Sequence, residues 1–225
     1  YFFHVDHDFF LDAAKEYAKI GKDQDYVYRA IQDDSFVRST LDWLTQGMAS
    51  QSDYKNMKNS VEAIVKELAE KIVRQLLLLE ADNHDPIYVY IDSPGGDVDA
   101  GFAIFDIIRF IEAPVYLIGM GLIASAAALI LLASPKERRL GLPDSRYLIH
   151  QPLSGMKGVA TDIEIHAQEM AKTRAKLNQL IAEETGKPLN QVSKDTDRDY
   201  WLDANQAVEY GLISSIITKR AELKK

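Results

Sequence analysis

Between residues 113 and 135 the chain carries no charged side chain, so whatever this stretch becomes must be hidden from water. Such a run is long enough to cross a bilayer as one helix. Two features oppose that reading. Gly119 and Gly121 interrupt the run, and its character changes along its length. Val115-Tyr116-Leu117-Ile118 is rich in β-branched and aromatic residues, which favour a strand, whereas Ala124-Ser125-Ala126-Ala127-Ala128-Leu129 favours a helix. The expectation is a buried strand, a tight turn and a buried helix, with no membrane span.

The flanking sequence continues the alternation. Ahead of the run, Ser60 is placed to cap a helix in which Val61, Ile64, Val65, Leu68, Ile72, Leu76 and Leu79 share one face. Asn83-His84-Asp85-Pro86 stops it, and a short strand, Ile87-Tyr88-Val89-Tyr90-Ile91, follows. The loop Ser93-Pro94-Gly95-Gly96 leads into a helix over residues 100–111, and Pro114 ends that helix. Beyond the run, Arg146-Tyr147-Leu148-Ile149-His150 reads as a strand. Thr161 and Glu164 have the spacing of a capping box, Ile163, Ala167, Met170, Arg174, Leu177 and Ile181 repeat at helical intervals, and Gly186 supplies the stop. Strands separated by helices of this length imply right-handed crossovers and a mostly parallel sheet, an α/β domain.

Residues 1–58 read differently from residues 59–225. They hold eleven of the 21 aromatic residues and only weak helical patterns, near 9–20 and 36–44, before a loop-like stretch at 46–52. The 225 residues suffice for one substantial core and a small appendage. A net charge of -8, with no long Lys/Arg stripe, argues against nucleic acid as a partner. The chain has no cysteine, which excludes disulfides, thiolate catalysis and cysteine-bound metal, and fits a reducing compartment. Its first residues lack the basic start of a signal peptide.

Several residues are candidates for chemistry. Ser125 stands where a strand turns into a helix, which suits a nucleophile beside free backbone N–H groups and suits a plain N-cap at least as well. His150, at a strand end before Gln151-Pro152, suits a general base or a hydrogen-bonded structural residue. His166, among Glu164 and Glu169 on a helix, suits a solvated face. The run Lys194-Asp195-Thr196-Asp197-Arg198-Asp199 offers three acids, among which composition does not choose. Gly95-Gly96 between a strand and a helix fits an anion cradle or a backbone N–H aimed at an oxyanion. Neither a Walker motif nor a Gly-x-Gly-x-x-Gly run is present, and Asp97 and Asp99 would repel a phosphate.

Taken in order, these segments resemble the ClpP family, the proteolytic subunits of Clp proteases, from about Ile72 to Arg220. The resemblance is carried by Ile91-Asp92-Ser93-Pro94-Gly95-Gly96, Gly121-Leu122-Ile123-Ala124-Ser125, Leu142-Pro143, Ile149-His150-Gln151-Pro152-Leu153, Ala160-Thr161-Asp162-Ile163-Glu164-Ile165, the acidic run through Asp199, and Ala207-Val208-Glu209-Tyr210-Gly211-Leu212-Ile213. It implies a ClpP/crotonase-like fold of repeated β-β-α units, with the helix from Thr161 as a protruding handle. It also implies a serine endopeptidase, without metal or cofactor, in which Ser125 is the nucleophile, His150 the base and Asp199 the orienting acid. The oxyanion donors map to the N–H groups of Gly96 and Ala126. Substrate would lie as an added strand by Gly95, Asp97 and Val98 on one side and Gly155 and Met156 on the other.

The resemblance further implies two stacked seven-membered rings, a Clp-family AAA+ unfoldase as partner, unfolded polypeptide as substrate, and a cytoplasmic location, or an organelle matrix in a eukaryote. Residues 1–58 lack the family's axial pore segment, its Arg-Leu-Leu helix and its Arg-Ile-Ile-x-Leu strand. Leu122-Ile123 and Ala126 replace the family's usual Met-Ala and Met beside the nucleophile. Two other expectations compete: an accessory ring subunit without catalysis, and a crotonase-type acyl-CoA enzyme, which shares the fold and the two-N–H oxyanion hole. An intact Ser-His-Asp set counts against both.

Overall fold

The alternation of strands and helices is what the chain forms, in a computed structural model that describes residues 25–26, 51–154 and 158–223. The helical patterns expected at 9–20 and 36–44 lie outside these residues. The N-terminal part contributes a two-residue strand, β1 (Asp25–Tyr26), and the start of a long helix, α1 (Gln51–Asp82). Because no glycine or proline interrupts residues 51–59, α1 begins ahead of Ser60, which is therefore an interior residue and not the expected cap. The helical spacing holds further on, where Ala69 and Leu76 are buried and Ile72 and Leu79 pack on the same core.

At the centre are β2 (Ile87–Ser93) and β3 (Val115–Ala124), joined by α2 (Val98–Phe110). This crossover makes them parallel, from Ile87 opposite Val115 to Ile91 opposite Gly119. On α2, Gly101, Ile104, Phe105 and Ile108 face the core, and Asp97 caps the helix by accepting from the Ala100 N–H at 2.8 Å.

The expected turn at Gly119 and Gly121 is instead a bend inside one continuous strand. Gly119 serves close packing: a Cβ there would lie 2.7 Å from the Tyr147 hydroxyl, and one on Gly141 would also press on that hydroxyl. Tyr147 is fully buried with Ser145 Oγ 2.9 Å from its oxygen, and burial pushes its pKa up to about 12. Past the bend β3 changes neighbours. Residues 117–119 pair with β4 (Arg139–Gly141), whereas residues 122–124 pair with β5 (Arg146–Ile149). β6 (Tyr200–Asp203) runs antiparallel to β5, and β7 (Ser215–Ile216) pairs with β4. The sheet is otherwise parallel, as expected.

Successive β3 residues point to opposite faces. Leu117 enters the main core with α1 and α2, and Ile118 joins Leu140 and Ile217 in a smaller one. Among the described residues four further α-helices follow: α3 (Ala126–Leu131), α4 (Ala160–Thr185), α5 (Leu189–Asp195) and α6 (Ala204–Tyr210). α4 begins at Ala160 with Val159 as its N-cap, so Thr161 stands too far inside to cap and the expected box with Glu164 is not formed. Gly186 ends α4 at a φ of 74°, as its position suggested. Only Asn178, Ile181 and Ala182 of α4 are buried, while Ile163 and Ile165 nearer its start are 44% and 56% exposed. Arg139 secures the buried end, donating from Nη2 to the Glu184 carbonyl at 2.8 Å. Burial lowers its pKa from the ordinary arginine value, and Glu184 works in the opposite direction. No helix among the described residues is long and apolar enough to cross a membrane.

Candidate active site

One residue, Ser125, connects β3 to α3. Its N–H donates to the Leu148 carbonyl of β5 at 2.9 Å, and its carbonyl accepts from Ala128 at 3.0 Å inside α3. Serving a strand on one side and a helix on the other forces φ to 57° and ψ to -122°, and Ser125 has the only positive φ outside glycine among the described residues. A backbone state of this kind costs about 1–3 kcal/mol and persists only where its surroundings impose it. The side chain makes no capping hydrogen bond to α3, so the N-cap reading left open by the sequence does not describe it.

The loop between β2 and α2 lies against this turn. Gly95 is buried at a φ of 93°, and a Cβ on it would be 2.5 Å from both the Ala124 carbonyl oxygen and Ser125 Cβ. Only glycine permits that approach. Gly96 follows, exposed, at a φ of 148°. Among the described residues neither the Gly96 nor the Ala126 N–H meets an acceptor. Asp97 is engaged in capping α2, and Val98 lines the pocket under Ser125. Gly155 and Met156 lie outside the described residues.

Strand pairing brings the other two candidates together. In the antiparallel β5–β6 ladder Arg146 faces Asp203 and Ile149 faces Tyr200, so one step further His150 faces Asp199. Their side chains meet there, His150 Nδ1 to Asp199 Oδ1 at 3.1 Å. The other acids of the run have different partners: Asp195 accepts from the Tyr210 hydroxyl at 3.0 Å and Asp197 from Arg174 at 2.8 Å. Burial is the first cause raising the Tyr210 pKa, and its bond to Asp195 adds to it. His166 is elsewhere, its Nε2 2.9 Å from Ser154 Oγ on the exposed part of α4.

Ser125 and His150 share a pocket whose remaining walls are apolar, from Val98, Leu129 and Ile149 to Leu177 and Ile181. Among the described residues no direct hydrogen bond joins the Ser125 hydroxyl to His150. Sequence reasoning missed the support behind Asp199. Thr196 is fully buried, its hydroxyl donates to Asn178 Oδ1 at 2.7 Å, and its carbonyl accepts from the Gln151 N–H at 2.6 Å. The loop of Asp199 is thus tied both to α4 and to the residue after His150. The one signal available was Asn178, a polar residue within the face that carries Ile181.

A curled, mostly parallel sheet with a strained serine at a strand end and a projecting helix defines a protein of the ClpP/crotonase-like fold. Comparison narrows the class. The family model described as Clp protease matches residues 54–220. The ATP-dependent Clp protease proteolytic subunit 2 of Treponema pallidum is 69% identical over 163 residues, 72% of this chain and 82% of that protein. Its namesake in Borreliella burgdorferi is 52% identical over 163 residues, 72% of this chain and 82% of that one. Among solved structures, a mutant of ClpP1 from Listeria monocytogenes superposes with a TM-score of 0.67 at 48% identity, covering 71% of this chain and 89% of that chain. The chain belongs to the Clp protease family, as a proteolytic subunit of the ClpP kind, and the resemblance read from the sequence is borne out. Nothing in these comparisons favours the accessory-subunit or acyl-CoA readings.

Proposed function

We propose that the chain is a serine endopeptidase in which Ser125, His150 and Asp199 act as one unit on unfolded polypeptide. The Ser125 Oγ attacks the scissile carbonyl carbon as His150 Nε2 takes its proton, and the oxyanion is met by the N–H groups of Gly96 and Ala126. Collapse breaks the C–N bond, and the proton passes from His150 to the departing amine. Water then attacks the acyl carbon as His150 takes its proton, and collapse breaks the C–O bond to Ser125 while His150 returns the proton to Oγ. Asp199, on the Nδ1 side, keeps the imidazole in the tautomer whose Nε2 accepts.

The observation that carries this reading is the His150–Asp199 contact at 3.1 Å beside a serine held at a φ of 57° in the same pocket. A serine that only capped a helix would need no such backbone. Asp97 has its carboxylate on α2, so its part in holding an added substrate strand falls to its main chain, beside Gly95 and Val98, and the family resemblance gives the other side to Gly155 and Met156.

The particle we propose is two stacked seven-membered rings fed by a Clp-family AAA+ unfoldase, working in the cytoplasm. The relatives' names, which speak of ATP-dependent proteolytic subunits, and the exposed apolar residues of α4 support it. A fluorophosphonate probe tests the chemistry: labelling at Ser125 alone is expected, and an unlabelled Ser125 in an assembled particle would return the chain to the accessory reading. Analytical ultracentrifugation beside a peptide assay tests the assembly, where a fully active monomer would refute it.

A further inference from the structure

β2 and β3 keep a regular register as far as Ile91 opposite Gly119, and pairing resumes only at Ser93 opposite Ile123. Across this gap one β2 residue, Asp92, faces Met120, Gly121 and Leu122 of β3. Extra residues in one strand bend it and leave ladder groups without partners. The Asp92 side chain answers both effects. Its Oδ1 accepts from the Leu122 N–H at 3.0 Å, and the carboxyl group fills the space beside Gly121, where a Cβ would lie 2.6 Å from that oxygen. Gly121 itself sits at a φ of 60°, so the bend needs glycine for its backbone as well as for room.

This bend is the place where β3 leaves β4 for β5. The change of neighbour has two results for the site. The Ser125 N–H reaches Leu148 of β5, the strand that runs on into His150. Ser93 is set opposite Ile123, which brings Gly95 onto Ala124 and Ser125. A straight β3 would stay beside β4 and deliver its end away from His150.

We propose that Asp92 is a positioning residue for the reaction: its acceptor oxygen on Leu122 holds the β3 bulge that sets Ser125 against both His150 and the Gly95–Gly96 loop. It touches neither substrate nor the reacting atoms. The proposal rests on Ser125 being the nucleophile. Because the partner is a neutral backbone N–H, the oxygen matters and the charge does not, so an amide serves in its place.

Steady-state peptide hydrolysis and the rate of fluorophosphonate labelling, measured on protein sedimenting like the parent particle, test this. Asp92→Asn is expected within about threefold of the parent in kcat. Asp92→Ala is expected to lose about ten- to a hundredfold in kcat and labelling rate with KM within about twofold, the pattern of a misplaced nucleophile. Gly121→Ala, which displaces the same carboxyl group while leaving Asp92 in place, must show the same kcat-selective loss. Parental kcat in Asp92→Ala overturns the proposal, and so does an Asp92→Asn enzyme as impaired as Asp92→Ala. Parental kcat in Gly121→Ala overturns it too, even if Asp92→Ala does not assemble. Ser125→Ala is the control that separates the two ideas: hydrolysis surviving in that variant refutes the nucleophile assignment itself.

Discussion

The turn around Ser125 and the first half of α4 are opposite solutions to the use of one chain. Around Ser125 everything needed is supplied from within: β2, β3, β5 and β6 each deliver a part, and glycines let backbones approach to contact. Along the start of α4 the apolar residues Ile163 and Ile165 stay 44% and 56% exposed among the described residues. A tight site tolerates strain because its neighbours impose it. An exposed apolar helix face fits the proposed assembly, in which another molecule covers it. The proposed triad thus draws its groups from one subunit, whereas the proposed particle draws on several.

The largest effect should come from the imidazoles, one in each region. His150→Ala is expected to lower kcat for a peptide by about three to four orders of magnitude, and His166→Ala to leave it within about twofold. Peptide hydrolysis by the two variants decides it, and the reverse ranking would break the division between the regions. Glycines give the next effect. Gly95→Ala forces a methyl into the Ala124 carbonyl and Ser125, and should cost about a hundredfold in kcat. At Gly186 a Cβ meets nothing within 4 Å, so Gly186→Ala should cost only the left-handed backbone, about 1 kcal/mol in urea unfolding, with kcat unchanged.

On the α4 side, Ile163→Asp should shift sedimentation toward smaller species while the circular dichroism of the separated subunit stays parental, because the side chain is exposed in the single chain. A variant that unfolds outright would show instead that the face belongs to the subunit core. A last effect concerns pH and leaves kcat aside. Burial raises the pKa of Tyr147 from the ordinary tyrosine value of about 10 to about 12 in the folded chain. Its neutral form is therefore favoured by folding, a contribution complete below pH 10 and lost as pH rises toward 12, reaching at most about 2–3 kcal/mol. Thermal unfolding from pH 9.5 to 12 should fall less steeply in Tyr147→Phe than in the parent.

The two regions also differ in how far the sequence disclosed them. Helices and strands with strong periodicity were legible, because 3.6- and two-residue repeats are local properties: β2, α2 and the body of α4 lie where the pattern puts them. Gly119 misled, because its reason is Tyr147, far away in the chain, and not a local turn. The same holds for the acids. Asp195, Asp197 and Asp199 are alike in composition and differ only in what faces them, a hydroxyl, a guanidinium and an imidazole. From the residues alone Ser125 read as a helix cap at least as readily as a nucleophile, since the strain that distinguishes the two comes from β5 holding its N–H. The Asp203–Gln206 capping box on α6 is, by contrast, a local pattern of the legible kind.

The meeting of His150 and Asp199 across 49 residues of chain has a consequence for synthesis. Chains emerge from the ribosome N-terminus first, and pairings between distant segments close late. A nascent subunit that has exposed β3, α3 and β5 already carries its serine and its histidine, but β6 and the acid are still inside the ribosome tunnel or being decoded. In the proposed triad nothing fixes the imidazole until they arrive, so the order of translation itself would delay peptidase activity until β6 has emerged.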